Sequence, residues 1–189
     1  GAGAEEVAKE QGLEMVEDNM YFATPKTMEW IEKLKQESKK NGTVGCVVLD
    51  KQGNLTAGTS TGGMFKKRWG RIGDSPVIGA GTYADNNSCA VSCTGHGEYF
   101  IRHAVAFDVC ARYKYLKESV EKAADYIIHT ELNTNAGNGG LIAVDKLGNI
   151  AMPYNSGGMF RGFLYKEKGS PEIKKGCGIG KKIVVVGEK

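Results

Sequence analysis

The stretch that decides the fold is Gly42-Thr43-Val44-Gly45-Cys46-Val47-Val48-Leu49-Asp50. It follows a lysine-rich polar segment abruptly, and its β-branched residues are typical of a buried strand. Turn-forming residues come next, Asp50-Lys51-Gln52-Gly53-Asn54, and a second run returns from Leu55 to Ser60. The stretch therefore predicts the first strand of a β-hairpin.

The same unit recurs 95 residues later in the chain. The second copy contains Leu141-Ile142-Ala143-Val144-Asp145-Lys146-Leu147-Gly148-Asn149-Ile150, and Gly157-Gly158-Met159-Phe160 repeats Gly62-Gly63-Met64-Phe65. Two copies are too few for a solenoid. They predict antiparallel sheet of related geometry in both halves of the chain.

Helical patterns separate and precede the two hairpins. Residues 96–116 and 118–132 carry apolar side chains at helical spacing. Residues 4–12 predict a helix with Gly12 just past its end, and residues 25–40 predict a helix that closes in lysines. Residues 174–180 predict a surface loop, and 182–186 a last strand. Sheet, helix pair and sheet together predict an α+β domain.

Composition narrows the functional classes. The 189 residues fit one domain, and a net charge of +3 gives no indication of nucleic acid or a membrane surface. No apolar run approaches the roughly 20 residues of a membrane span, and no secretory signal opens the sequence. The five cysteines lack a CxxC pair. We therefore expect free thiols in a reducing compartment, the cytoplasm, with no metal and no cofactor.

Familiar catalytic motifs do not occur. The sequence has no GxSxG, HExxH, Walker or dinucleotide-binding pattern. His96, His103 and His129 each have the chemistry of a catalytic base, but nothing in the sequence pairs them with a nucleophile. Surface or core positions are the simpler interpretation for all three.

Thr43 lies where the polar segment meets the strand. If the Gly42–Thr43 bond is cut, Thr43 gains an α-amino group, which titrates near about 7.7–8.0 and can accept the hydroxyl proton. One residue then supplies both nucleophile and base. The dipeptide alone fits an ordinary strand start better.

Four segments together resemble a known family, the plant-type asparaginases and isoaspartyl peptidases, which are N-terminal-nucleophile hydrolases. These segments are Asn41-Gly42-Thr43-Val44-Gly45, Thr59-Ser60-Thr61-Gly62-Gly63, Gly70-Arg71-Ile72-Gly73-Asp74-Ser75-Pro76-Val77-Ile78-Gly79-Ala80-Gly81-Thr82-Tyr83-Ala84 and Ser92-Cys93-Thr94-Gly95-His96-Gly97-Glu98. The resemblance covers the chain from Asn41 to Arg161, and residues 1–24 resemble the part that precedes the cleavage site.

The resemblance implies a role for each site residue. Thr43 would be the nucleophile released by autocleavage after Gly42, and Thr61 would orient its hydroxyl and its new amine. Thr94 and Gly95 would form an oxyanion hole.

It also implies a site for an amino-acid head group. Arg71 would bind the substrate α-carboxylate in a bidentate fork, and Asp74 would bind the α-ammonium. Gly97 would add a backbone carbonyl to the ammonium site. Taken alone, the Arg71 and Asp74 pair also fits an ordinary solvated surface pair.

The implied reaction is hydrolysis of the side-chain amide of L-asparagine or of a β-aspartyl dipeptide through a threonine ester. Two other interpretations stay open: a glycosylasparaginase-type amidase, and an uncleaved scaffold that only binds amino acids. Comparing the hydrolysis of β-aspartyl dipeptides with that of glycosylated asparagine would distinguish an isoaspartyl peptidase from a glycosylasparaginase-type amidase.

The implied fold is a four-layer αββα sandwich. Residues 1–42 match only the end of its first segment and residues 43–189 its second, together one domain. The family's first strand, His-Gly-Gly loop and sodium-binding loop have no counterpart here, so we expect an incomplete sandwich. Either a companion chain supplies that segment or the chain is truncated; a homodimer of such units is also expected.

Overall fold

The computed structural model describes residues 2–16, 18, 21, 24–25, 28–29, 42–64, 67, 70–166, 173–178 and 184–187. The chain divides into two compact units, residues 1–40 and 41–189. In the first, α1 spans Ala2–Glu10. At its end, the Gly12 N–H donates to the Lys9 carbonyl at 3.0 Å and the Leu13 N–H donates to the Ala8 carbonyl at 2.9 Å. Gly12 itself takes the left-handed conformation at φ 66°. This Schellman ending confirms the predicted helix stop. Most of the helix predicted over 25–40 lies outside the described residues.

The second unit begins with the predicted hairpin. Strands β1 (Thr43–Leu49) and β2 (Leu55–Thr61) pair antiparallel from Thr43 opposite Thr61 to Leu49 opposite Leu55. The Asp50 carboxylate closes the turn by accepting from the backbone N–H groups of Gln52 and Asn54 at 2.9 and 2.7 Å. Gly53 takes φ 88°, a conformation that glycine adopts without strain.

The second copy has the same geometry, which confirms the repeat. Strands β5 (Gly139–Asp145) and β6 (Ile150–Ala151) form its hairpin. The Asp145 carboxylate accepts from the N–H groups of Leu147 and Asn149 at 2.8 and 2.9 Å, and Gly148 takes φ 89°. The copies differ in burial, because Asp145 is only 1% exposed whereas Asp50 is exposed.

A four-stranded antiparallel sheet occupies the middle of this unit. Its order is β3 (Thr82–Ala84), β4 (Cys89–Gly95), β5 and β6. Helical segments follow β4: α2 (Gly97–Arg102), α3 (Val105–Ala111) with a π-helical turn Arg112–Leu116, and α4 (Val120–Tyr126), which continues through a π-helical turn Ile127–Glu131 into α5 (Leu132–Thr134).

The single helix predicted over 96–116 is wrong. The chain breaks at Ala104, which takes the left-handed conformation at φ 45° and separates α2 from α3. The helix predicted over 118–132 is confirmed. It begins where the Ser119 hydroxyl accepts from the Lys122 N–H at 3.3 Å, an N-cap.

The two faces of β4 pack against different layers. Cys89, Val91 and Cys93 join the main core with the helices, whereas Ala90 packs with residues of β1 and β2. Alternation along a strand explains this division. The second unit therefore stacks a helical layer, the central sheet and the β1–β2 hairpin, consistent with the expected α+β class.

Strand β1 is not the buried strand that its composition predicts. Val44 and Val48 are 68% and 46% exposed, and Cys46 is exposed. Val47 and Leu49 face the core. The strand is therefore buried on one face only.

A separate three-stranded sheet contains β7 (Arg161–Lys166), β8 (Ile173–Gly178) and β9 (Val184–Gly187). The surface loop predicted over 174–180 is wrong, because β8 is the middle strand and pairs on both sides. The predicted last strand is confirmed. Among the described residues, no helix is long and apolar enough to span a bilayer.

Candidate active site

Thr43 and Thr61 meet at the open end of the hairpin, because strand pairing sets them opposite each other. The Thr43 hydroxyl donates to the Thr61 hydroxyl oxygen at 3.2 Å. Thr61 in turn donates to the carbonyl oxygen of Gly42 at 2.9 Å and accepts from the Gly63 N–H at 2.9 Å. One hydroxyl thus contacts both the side chain expected to attack and the carbonyl group expected to be attacked.

Asp74 lies in the loop before β3 and is only 6% exposed. Its backbone carbonyl accepts from the N–H groups of Val77 and Gly81 at 3.0 and 3.1 Å, which fixes the loop. Its carboxylate oxygen Oδ2 is buried without a hydrogen-bond partner among the described residues. Burial raises the pKa of this carboxyl group, and the Arg71 charge opposes that effect. Such a group favours a cationic ligand.

Arg71 is paired with Glu98, a residue to which the sequence assigns no role. Arg71 Nη2 lies 2.9 Å from Glu98 Oε2, with the two side chains 26% and 55% exposed. The Glu98 backbone N–H and, after it, the Arg71 guanidinium lower the pKa of the Glu98 carboxyl group. The guanidinium therefore already holds a carboxylate. An exposed glutamate in the first turn of a helix gives no sequence signal for such a role.

Gly97 is the point where Arg71 and Asp74 converge. A Cβ atom on Gly97 would lie 2.8 Å from Asp74 Oδ1 and 3.1 Å from Arg71 Nη2. A Cβ atom on Gly81 would lie 2.8 Å from Asp74 Oδ2. The cation and the anion therefore approach the same point, where glycine packs closely on Asp74 and a larger residue would collide with it. Of the two, Asp74 is buried and Arg71 is partly exposed.

Thr94 and Gly95 end strand β4, opposite Gly140 and Gly139 of β5. Gly95 has φ 151°, and a Cβ atom there would lie 2.7 Å from the Phe100 ring. The following N–H, of His96, donates to the Asn138 carbonyl at 2.9 Å. The strand end is thus fixed by its neighbours on both sides.

Strand β4 faces the β1–β2 hairpin, and its direction brings Thr94 toward Thr43 and Thr61. Ala90 packs at the Leu49 and Leu55 end of the hairpin, and the Ser92 hydroxyl contacts Thr59, farther along β2. Continuing in the same direction, Thr94 comes to the end of the hairpin that bears Thr43.

Among the described contacts, no histidine side chain pairs with Thr43 or Thr61. His103 Nδ1 is 3.2 Å from Glu131, and His129 Nδ1 is 2.8 Å from Asp125. His96 precedes α2, with its ring beside Tyr99. Within the described ranges, no group of three or more His, Cys, Asp or Glu side chains could hold a metal ion.

The chain is similar to several known proteins. A family model described as asparaginase matches residues 1–173. The isoaspartyl peptidase of Salmonella typhimurium is 46% identical over 179 residues, covering 87% of this chain and 57% of the relative. The isoaspartyl peptidase of Escherichia coli is 41% identical over 192 residues, covering 89% and 60%. The isoaspartyl peptidase/L-asparaginase of Mus musculus is 42% identical over 171 residues, covering 84% and 51%.

The chain is a member of the asparaginase family. It spans less than two thirds of the length of each of these relatives.

Proposed function

We propose that this chain forms the catalytic part of an autocleaving amidohydrolase acting on the side-chain amide of L-asparagine and on β-aspartyl dipeptides. The main observation in support of this proposal is that the Thr61 hydroxyl contacts both the Thr43 hydroxyl and the Gly42 carbonyl. The names of the relatives support the substrate class, because each is an isoaspartyl peptidase or an isoaspartyl peptidase/L-asparaginase.

The cleavage step begins with the chain intact. Thr43 Oγ1 attacks the carbonyl carbon of Gly42, and the Gly42 C–N bond to Thr43 breaks as the hydroxyl proton passes to that nitrogen. An ester joins Gly42 to the Thr43 side chain until water hydrolyses it. The Thr61 hydroxyl stabilises the negative charge that develops on the Gly42 oxygen. Cleavage leaves Thr43 with a free amine.

That amine then serves as general base for turnover. It accepts the Thr43 hydroxyl proton as Oγ1 attacks the side-chain carbonyl of the substrate. Ammonia or the downstream amino acid leaves with a proton, and water hydrolyses the resulting ester. Thr94 and the Gly95 N–H stabilise the oxyanion in both steps.

The head-group site selects the substrate. Arg71 binds the α-carboxylate. Oδ2 of Asp74, which has no hydrogen-bond partner in the described part of the chain, accepts from the α-ammonium. The Gly97 carbonyl adds a further acceptor. The substrate carboxylate shares the guanidinium with Glu98, which lies 2.9 Å from Arg71 Nη2.

The proposal extends to the whole assembly. Residues 1–42 form the end of the first segment and residues 43–189 the second segment of an αββα sandwich. The greater length of the relatives supports a further segment, on this protein or a companion chain. A homodimer of such units is part of the same proposal. Buried free thiols at Cys89, Cys93 and Cys110 support a reducing compartment such as the cytoplasm.

The test follows the mass of the purified protein and its N-terminal sequence during incubation, with asparagine and a β-aspartyl dipeptide supplied as substrates. We expect a fragment that begins at Thr43 and hydrolysis that grows with its amount. Thr43→Ala should abolish both. Asparagine turnover by the Thr43→Ala variant, or by a chain that never cleaves, would refute the nucleophile. Ligand binding without any cleavage would favour the amino-acid-binding scaffold.

A further inference from the structure

Three hydroxyl groups meet between the β1–β2 hairpin and the central sheet. The Thr59 hydroxyl lies 2.7 Å from the Ser92 hydroxyl, and the Thr82 hydroxyl donates to Thr59 across a very short contact. Ser92 is only 3% exposed, and the two threonines are half-buried. We refer to Thr59, Thr82 and Ser92 as the hydroxyl cluster. It is a polar contact inside an interface that is otherwise largely apolar.

The hydroxyl cluster also contacts the loop that carries Asp74. Thr59 donates to the Gly81 carbonyl at 3.3 Å, and the Thr82 hydroxyl oxygen also lies 3.3 Å from the Ser75 carbonyl oxygen. Gly81 is bonded back to Asp74 through its N–H, at 3.1 Å. The cluster therefore joins the hairpin, the central sheet and the head-group loop.

Strand register places this cluster directly beneath the candidate active site. On β2, Thr59 is two residues before Thr61, and on β4, Ser92 is two residues before Thr94. Residues two apart share a face of a strand. Thr59 also pairs with Gly45, two residues after Thr43. A Cβ atom on Gly45 would overlap the Ser92 hydroxyl oxygen, so the β1 backbone lies directly on this serine.

We propose that Thr59 is a positioning residue for the hydrolysis reaction, an inference that rests on the proposed function. Its hydroxyl, on β2, contacts Ser92 on β4 and so fixes the separation between the hairpin that bears Thr43 and the strand that bears Thr94. Apolar contact alone would hold the layers together without defining this distance. A misplacement of about 1 Å can slow a reaction on the order of 100-fold.

The expected signature is a loss in kcat. The loop around Asp74 is also fixed by backbone bonds from Val77 and Gly81, so head-group binding survives the loss of the Thr59 hydroxyl. Thr59→Val, which keeps the shape of the side chain, should lower kcat roughly tenfold to 100-fold while KM changes much less.

The experiment measures kcat and KM for asparagine per cleaved molecule, with cleavage quantified by mass spectrometry. Thr59→Ser restores the hydroxyl and should recover most of kcat. Thr56→Val is the matched control, because Thr56 lies on the exposed face of the same strand and should leave kcat unchanged. Thermal melting shows which variants fold.

Two results would overturn the proposal: a kcat for Thr59→Val within twofold of wild type, or a Thr59→Ser variant as defective as Thr59→Val. Should Thr59→Val not fold or cleave, Ser92→Ala removes the partner hydroxyl from the other layer, and an unchanged kcat in that variant is equally decisive. Wild-type protein without any hydrolysis would instead overturn the proposed function.

Discussion

The Thr61 hydroxyl donates to the Gly42 carbonyl oxygen at 2.9 Å while it accepts from the Thr43 hydroxyl at 3.2 Å. Strand pairing alone creates this relationship, because Thr43 and Thr61 are register partners at the end of the hairpin. The same strand pair that builds the sheet therefore brings the reacting groups together.

This relationship predicts the effect of removing the Thr61 hydroxyl. Thr61→Val should slow cleavage at Gly42–Thr43 at least about 100-fold, the usual effect of losing a donor to a developing oxyanion. Thr61→Ser should cleave far faster than Thr61→Val. Gel or mass analysis over time measures both. Equal cleavage rates in wild type and Thr61→Val would remove Thr61 from the mechanism.

Arg71→Ala should separate substrate use from cleavage. Hydrogen bonds to charged groups contribute about 1.5–3 kcal/mol each, so losing a bidentate pair should lower kcat/KM at least about 100-fold. Cleavage at Gly42 involves no free carboxylate and should continue at nearly the normal rate. Arg102→Ala, at an exposed position in α2, is the control. Comparable losses in both reactions would contradict the carboxylate-binding role.

Gly97→Ala tests whether the head-group space must stay open. The added methyl group would lie 2.8 Å from Asp74 Oδ1 and 3.1 Å from Arg71 Nη2, where it excludes a bound ammonium group. We expect a folded variant with kcat/KM for asparagine reduced at least about tenfold, since a displacement of about 1 Å already has a large effect. Gly157→Ala is the matched control, because nothing lies within 4 Å of its added Cβ. A Gly97→Ala variant as active as this control would place the head group elsewhere.

As the pH is lowered, substrate binding should weaken at a higher pH than it would if Asp74 had the pKa of an ordinary aspartate. Burial raises the pKa of Asp74 above 3.8, so its carboxylate becomes protonated, and loses its attraction for an ammonium group, at a higher pH. The profile of kcat/KM against pH should show this additional acidic step. An acid limb that coincides with unfolding, measured by circular dichroism, would show that Asp74 is not its cause.

The same raised pKa has a consequence for stability. A group whose pKa is higher in the folded protein favours folding below its unfolded pKa, and this contribution is lost as pH rises through the folded pKa. Asp74→Asn should therefore melt at a higher temperature than wild type near neutral pH, with a smaller difference in acid, although it binds substrate poorly.

The repeated turns provide a matched pair for a stability measurement. Asp50 and Asp145 make the same contacts with backbone N–H groups two and four residues ahead, but only Asp145 is buried. Asp145→Ala should lower the free energy of unfolding by about 2 kcal/mol, because it leaves donors unsatisfied beside the core. Asp50→Ala should cost clearly less, because water replaces the carboxylate. Chemical denaturation measures both, and equal losses would show that burial does not set the cost.

Local chemistry made the hairpins predictable. Each turn combines an aspartate, a glycine in the left-handed conformation and an asparagine, and these residues act within a few positions of one another. The end of α1 is equally local, since Gly12 suffices to indicate it.

The errors arose where distant parts of the chain decide the structure. Ala104 takes the left-handed conformation without the glycine that would signal it. Strand β8 contains lysines and glycines typical of a loop, but pairing with β7 and β9 overrides that preference. At the site, the pairing of Arg71 with Glu98 spans 27 positions and depends on the loop before β3.

The glycines around Asp74 limit how this protein family can diversify. Side chains at Gly81 and Gly97 would collide with the aspartate, so the surroundings of Asp74 cannot be reshaped by single substitutions there. Gly62 and Gly158, in contrast, have open space where a side chain would begin. Side chains are therefore more accessible to evolution, and to protein engineers, at Gly62 and Gly158 than at the two glycines that pack on Asp74.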